Sequence, residues 1–120
     1  MQFPRYGLVL LAAMALGACA QDDGTDYIQD RDSNLKIDTL LVENACSNCH
    51  ASDYARVGPS MVDIALVRGS EEDAHAILVD RIKNGTMGNW GPAIMPAQFL
   101  VSDEEADQLA TAILAMQPAE

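Results

Sequence analysis

Cys46, Cys49 and His50, within Cys46-Ser47-Asn48-Cys49-His50, are the side chains best placed to do chemistry together. Three and four residues are the near-turn spacings of a helix, so both thiols and the imidazole fall on one face. Such a face suits a flat ligand. Cys-x-x-Cys-His is the attachment pattern of a c-type haem, in which each thiol adds to one vinyl group and the imidazole binds iron. A thioredoxin-like dithiol would need a βαβ context, and the flanks here have helical periodicity. A structural zinc site needs four ligands, and outside the pentapeptide the chain has one Cys, Cys19, and one His, His75.

A haem held by His50 needs a second axial ligand, for which a Met thioether is well suited. Met61, Met87 and Met95 are the candidates. Met61 lies inside an apolar helical pattern, which points to core packing. Met87 adjoins Gly88. Met95 precedes Pro96, which biases its backbone towards an extended conformation, so its side chain can be aimed. Pro59 has no amide hydrogen, but its carbonyl can accept a bond from the His50 nitrogen that faces away from iron, fixing the tautomer.

The elements that position these groups follow from periodicity. Ile37, Leu40, Leu41 and Ala45 predict a first helix running directly into Cys46. Residues 51–57 read as loop and Gly58-Pro59 as a turn. A short apolar helix over 61–67 closes at Gly69. Ser70, with Asp73 three residues on, predicts the cap of a helix that buries Ala74, Ile77, Leu78 and Ile82 and ends at Gly85. His75 lies off that stripe and is expected at the surface. Residues 86–101 read as a functional loop, because Gly88, Gly91, Pro92 and Pro96 interrupt any period. Ser102 and Glu105 form a capping box for a last helix over 102–116, which Pro118 stops. Its stripe, Ala106, Leu109, Ala110, Ile113 and Leu114, is expected to pack on the first helix. The fold class is therefore all-α, with about four short helices around one haem.

At 120 residues a single domain is expected, and aromatic residues supply only 5% of it, so a covalent porphyrin would make up much of the apolar core. Arg5, the apolar run 8–16, too short to span a bilayer, and Leu16-Gly17-Ala18 before Cys19 resemble a bacterial lipoprotein signal. That resemblance implies removal of residues 1–18, lipidation of Cys19, export to the periplasmic side and a lipid anchor, with Ala20 favouring the outer membrane. An ordinary secretory signal cut near Ala18 or Ala20 is the alternative. Residues 19–34 read as the lipidated Cys and an acidic tether that reaches at most about 50 Å when extended. The globular domain then covers 35–120.

From about residue 37 to 117 the chain resembles the small single-haem class I cytochromes c of bacteria, particularly those that donate electrons to dissimilatory nitrite reductase. The matching pieces are Cys46-x-x-Cys49-His50, Gly58-Pro59, Arg81-Ile-Lys-Asn-Gly85, Trp90-Gly91-Pro92 and Met95-Pro96. The resemblance implies one covalent haem c on Cys46 and Cys49, iron between His50 and Met95, the Pro59 carbonyl on His50, and Arg81 and Trp90 near a haem propionate. Gln98 stands where the family has an Asn touching the Met sulfur, and one extra residue precedes Ser102. Leu41, Val42 and Ala112 replace the aromatic contact between the first and last helices.

With both axial positions filled by protein, iron has no open site for substrate, and the chain is expected to carry single electrons rather than act as an enzyme. The alternative is a haem-based sensor in which Met95 is displaceable, with Gln98 as its foothold. Loss of residues 1–18 removes Arg5 and no acid, taking the net charge from −11 to −12, which excludes nucleic acid as a partner. Redox proteins with a basic face fit that charge, and a monomer is expected. Arg56, Arg68, Arg81 and Lys83 are the cations that could gather near the haem edge.

Overall fold

The computed structural model describes residue 34 and residues 36–116. The leader over 1–18, Cys19, the tether through residue 33 and the stop at Pro118 lie outside the described residues. Helix α1 covers residues 36–43, and the Cys-His pentapeptide forms a separate turn with a 3-10 segment over Cys46–Asn48. Then come α2 (Met61–Arg68), α3 (Ala74–Asn84), a two-stranded ladder of β1 (Thr86–Met87) and β2 (Ile94–Met95), and α4 (Asp103–Leu114). The ladder is antiparallel and sets Thr86 opposite Met95 and Met87 opposite Ile94. Among the described residues the fold is all-α apart from this clip.

One apolar cluster holds the helices together. It joins Ile37, Leu40 and Leu41 of α1 to Met61 and Ile64 of α2, Leu78 and Ile82 of α3, and Ala106, Leu109, Ala110 and Ile113 of α4. The expectation that α4 packs on the first helix needs widening, because α4 also lies against α3 and α2. Leu41 and Ala112 are buried in that core, but Val42 is 68% exposed and takes no part in it. Ile37, Leu40 and Leu41 form an i, i+3, i+4 stripe, and Val42, five residues after Ile37, falls outside it.

Two sequence-based boundaries are corrected. The first helix does not run into Cys46, because Ala45 adopts the left-handed conformation (φ 57°, ψ 14°) and ends it. Its amide bonds to the Val42 carbonyl at 3.1 Å, the geometry of a helix terminus that Gly usually fills. Ser70 does not cap α3 either. Asp73 occupies the cap position without a side-chain bond, and residues 69–73 instead form turns closed by Glu71 N–H to the Arg68 carbonyl and Ala74 N–H to the Glu71 carbonyl. His75 lies at the surface as expected, and it bonds through Nε2 to Thr111 Oγ1 (3.2 Å) and lies 3.3 Å from Asp107 Oδ1, linking α3 to α4.

The α4 capping box is present as read. Ser102 Oγ accepts from Glu105 N–H at 3.2 Å, and the Glu105 carboxylate accepts from Ser102 N–H at 2.8 Å. That backbone bond, and then the Ser102 hydroxyl, hold the Glu105 carboxyl below the usual carboxylate range. A depressed folded pKa contributes stability that is in place above the unfolded value and is lost as pH falls through the folded one. Ser102→Ala is therefore expected to lower stability by about 1 kcal/mol, and Glu105→Gln, which removes the titrating group, to flatten the acid side of the stability profile, both read by thermal unfolding across pH. Ala45→Gly is expected to raise stability by about 0.5–1 kcal/mol in denaturant unfolding, because Gly removes the left-handed strain.

Candidate functional site

The pentapeptide closes on itself as one turn. His50 N–H bonds to the Cys46 carbonyl at 2.9 Å and Cys49 N–H to the same oxygen at 3.0 Å, so the predicted single face exists without a continuing helix. The following loop is stitched to this turn. Gly58 N–H reaches the Cys49 carbonyl (2.9 Å), Met61 N–H the Ala51 carbonyl (3.1 Å) and Val62 N–H the Ser52 carbonyl (3.0 Å), while the Arg56 guanidinium donates to the Ser47 carbonyl. Ser60, fully buried, caps α2 by accepting from Asp63 N–H at 3.0 Å and donating to Asp63 Oδ2 at 2.7 Å.

His50 is 8% exposed, and its Nδ1 lies 2.7 Å from the Pro59 carbonyl oxygen. A carbonyl can only accept, so Nδ1 is the donor, and in the neutral imidazole that leaves the lone pair on Nε2. A neutral imidazole with a free Nε2 is the form that binds a metal. Gly58 makes room for the ring: a Cβ there would sit 2.4 Å from Cε1 and 2.9 Å from both ring nitrogens. Cys46 and Cys49 are separate thiols. Burial pushes the Cys46 thiol up from its ordinary value, a setting that suits an uncharged sulfur such as a thioether.

Met95 is placed by the clip and by the end of α3. Gly85 has φ +76°, and a Cβ on it would lie 2.6 Å from the Met95 carbonyl oxygen and 2.8 Å from the Ala97 nitrogen. Gln98 N–H bonds to the Ile82 carbonyl at 3.0 Å, laying 95–98 along the α3 terminus. The Met95 side chain packs against the core. Met61 is buried at 3% exposure, as its helical setting indicated, and Met87 is exposed. The Gln98 amide turns back to the Pro96 carbonyl at 2.7 Å.

These parts surround one cavity of about 320 Å³, within the range of small-molecule sites. Cys46, Cys49, His50, Pro59, Arg81, Trp90 and Met95 all line it, together with core side chains such as Leu41, Ile64, Leu78 and Ile113. Every sequence-predicted haem residue therefore falls on the same surface. Sequence reading gave no role to Thr86 or Asn89, which also line it, because short polar side chains in an aperiodic loop carry no pattern. Of the four cations, Arg68 and Arg81 line the cavity and Arg56 lies over the cysteine turn, while Lys83 bonds to the Val101 carbonyl and to Asp103. Among the described residues no group of three or more His, Cys, Asp or Glu side chains is placed to hold a metal ion.

The sequence model of the cytochrome c family matches residues 36–117. The chain belongs to the cytochrome c family. Membership brings one covalently attached haem c and the role of electron carrier, which the donor set and the apolar cavity fit. The chain is 41% identical over 116 residues to cytochrome c-551 of Pseudomonas aeruginosa, covering 93% of this chain and 97% of that protein. The crystal structure of wild-type Nitrosomonas europaea cytochrome c552 superposes with a TM-score of 0.65 at 38% identity, over 67% of this chain and 99% of that one. The class 1 cytochrome MtoD of Sideroxydans lithotrophicus ES-1 follows with a TM-score of 0.54 at 26% identity, over 71% and 94%. The expected cytochrome c fold is thus borne out, as is a small class I protein.

Gly58→Ala is expected to displace the His50 ring and lower haem incorporation several-fold, read as the haem-to-protein absorbance ratio after export into an oxidising compartment.

Proposed function

We propose that this protein is a one-electron carrier whose haem iron sits between His50 Nε2 and the Met95 sulfur, shuttling electrons between redox proteins on the periplasmic side of a membrane. The observation that carries this reading is the shared cavity: both thiols, an imidazole with its Nε2 lone pair free, and a Met whose backbone is fixed on two sides all line it. When bound, the haem supplies an iron that cycles between ferrous and ferric states. The protein residues do the rest. Cys46 and Cys49 hold the ring covalently, and the Pro59 carbonyl keeps the His50 proton on Nδ1 and raises the basicity of Nε2. Met95 would supply a soft thioether ligand, which raises the potential. Arg81 and Trp90 partner a propionate, since a desolvated carboxylate needs donors.

The chain setting belongs to the same proposal. Residues 1–18 act as a lipoprotein signal, Cys19 takes the lipid, 19–34 is the tether and 35–120 the haem domain, anchored to the outer membrane in preference to the inner. Among the described residues no helix is long and apolar enough to cross a membrane. The protein works as a monomer, and its acceptors, among them the nitrite-reducing kind, dock through basic faces complementary to a net charge of −12 once residues 1–18 are gone. Association is therefore expected to slow as salt rises, measured by stopped-flow reduction of a basic partner. The sensor alternative is not favoured, since the relatives named above are all cytochromes.

Replacing Met95 tests the ligation. In ferric Met95→Ala the weak far-red band of thioether-to-iron ligation is expected to vanish while the haem stays covalently attached. Persistence of that band would rule Met95 out as the ligand.

A further inference from the structure

The loop joining β1 to β2, residues 88–93, is exposed throughout, and its two glycines adopt positive φ with no atom within 4 Å of where a side chain would begin. A segment with so little packing has low local stability, and it leads directly into the strand that carries Met95. Polar bonds are left to hold it. Arg68, in the last turn of α2, has a side chain 21% exposed and lines the haem cavity. Its Nη1 forks onto both oxygens of Glu71 (2.8 and 3.1 Å), and its Nη2 donates to Asn89 Oδ1 at 3.3 Å across 21 residues of sequence.

Asn89 passes that restraint on. Its Nδ2 donates to Thr86 Oγ1 at 2.6 Å and to the Met87 carbonyl at 3.3 Å. Thr86 Oγ1 also accepts from Arg81 Nη1 at 2.5 Å, and Thr86 stands opposite Met95 in the ladder. Hydrogen bonds thus run unbroken from Glu71, through Arg68 and Asn89, to the residue facing Met95.

We infer that Arg68 is a positioning residue for Met95: held rigid by Glu71, it pins the β1–β2 loop through Asn89 and so sets how readily another ligand displaces the Met95 sulfur from iron. The inference rests on the proposed His50 and Met95 ligation. Two properties suit Arg68 to the task. The planar fork can bind Glu71 and Asn89 at once, which an ammonium cannot do in the same geometry. The pairing with Glu71 also removes the side-chain freedom that would otherwise weaken a single long-range bond.

The test uses the full ferric holoprotein titrated with imidazole, with loss of the far-red band as the readout. Arg68→Ala and Asn89→Ala are each expected to raise the apparent imidazole affinity by about three- to tenfold, the equivalent of roughly one hydrogen bond released from the closed state. The double variant should gain no more than Asn89→Ala alone, since that change already cuts the link to Arg68 along with the bonds to Thr86 and Met87. Arg68→Lys, which keeps the charge and loses the fork, should behave like Arg68→Ala. Unchanged affinity in both single variants overturns the inference, and so does full rescue by Lys, which would assign the effect to charge. Asn89→Ala keeps the test open if loss of Arg68 prevents folding. A wild-type protein without the far-red band would overturn the ligation reading and the inference with it, whereas a normal wild-type band with unchanged variants overturns the inference alone.

Discussion

The bond from His50 Nδ1–H to the Pro59 carbonyl is the contact on which the rest of the site depends. It decides which ring nitrogen carries the proton, and so which one can bind iron. Much of the surrounding chain makes that bond possible. Gly58 leaves room for the imidazole, and its amide ties the loop to Cys49. Ser60 then starts α2 immediately after Pro59, fixing the carbonyl from the other side. A proline before a helix cap is a rigid acceptor, since its own φ is locked and it has no amide hydrogen to satisfy.

The cavity explains how so small a domain holds together. Leu41, Met61, Ile64, Leu78, Ile82, Leu109 and Ile113 belong both to the apolar cluster and to the cavity lining. The haem site is therefore the middle of the core and not an addition to its surface. A chain of this size buries too little of its own surface to be generous with apolar contacts, so a large flat cofactor finishes the packing. Folding and cofactor attachment are linked for that reason, in the way that any ligand of the native state shifts its stability.

The chemistry was more legible in the sequence than the local geometry. Cys46, Cys49 and His50 announce themselves by spacing, Pro59 and Met95 by neighbouring prolines or glycines, and α4 by a capping box whose two bonds both form. The failures have physical causes. Ala45 ends α1 in the left-handed region, which is unusual for a residue with a Cβ and leaves no mark in an apolar period. Ser70 has the right type for a cap, but turns through Glu71 and Asp73 compete with it. The clip between Thr86–Met87 and Ile94–Met95 involves two residues on each side, too few for an alternating pattern. Arg68 was legible only as one of four cations that could gather near the haem edge, because nothing in the sequence marks a bond to a loop 21 residues away.

Charge and ligation together define what such a protein can do. A net charge of −11 suits the basic partners proposed above, and two cations on the cavity wall, Arg68 and Arg81, make its lining less negative than the chain as a whole. In the proposed ligation, with both axial positions filled by protein, the iron would exchange electrons without changing its ligands. Exposing the ferrous wild-type holoprotein to carbon monoxide at neutral pH measures this directly. The visible spectrum should stay that of a low-spin carrier on the minutes scale; prompt formation of a carbonyl complex would show an open or easily vacated site and contradict the account.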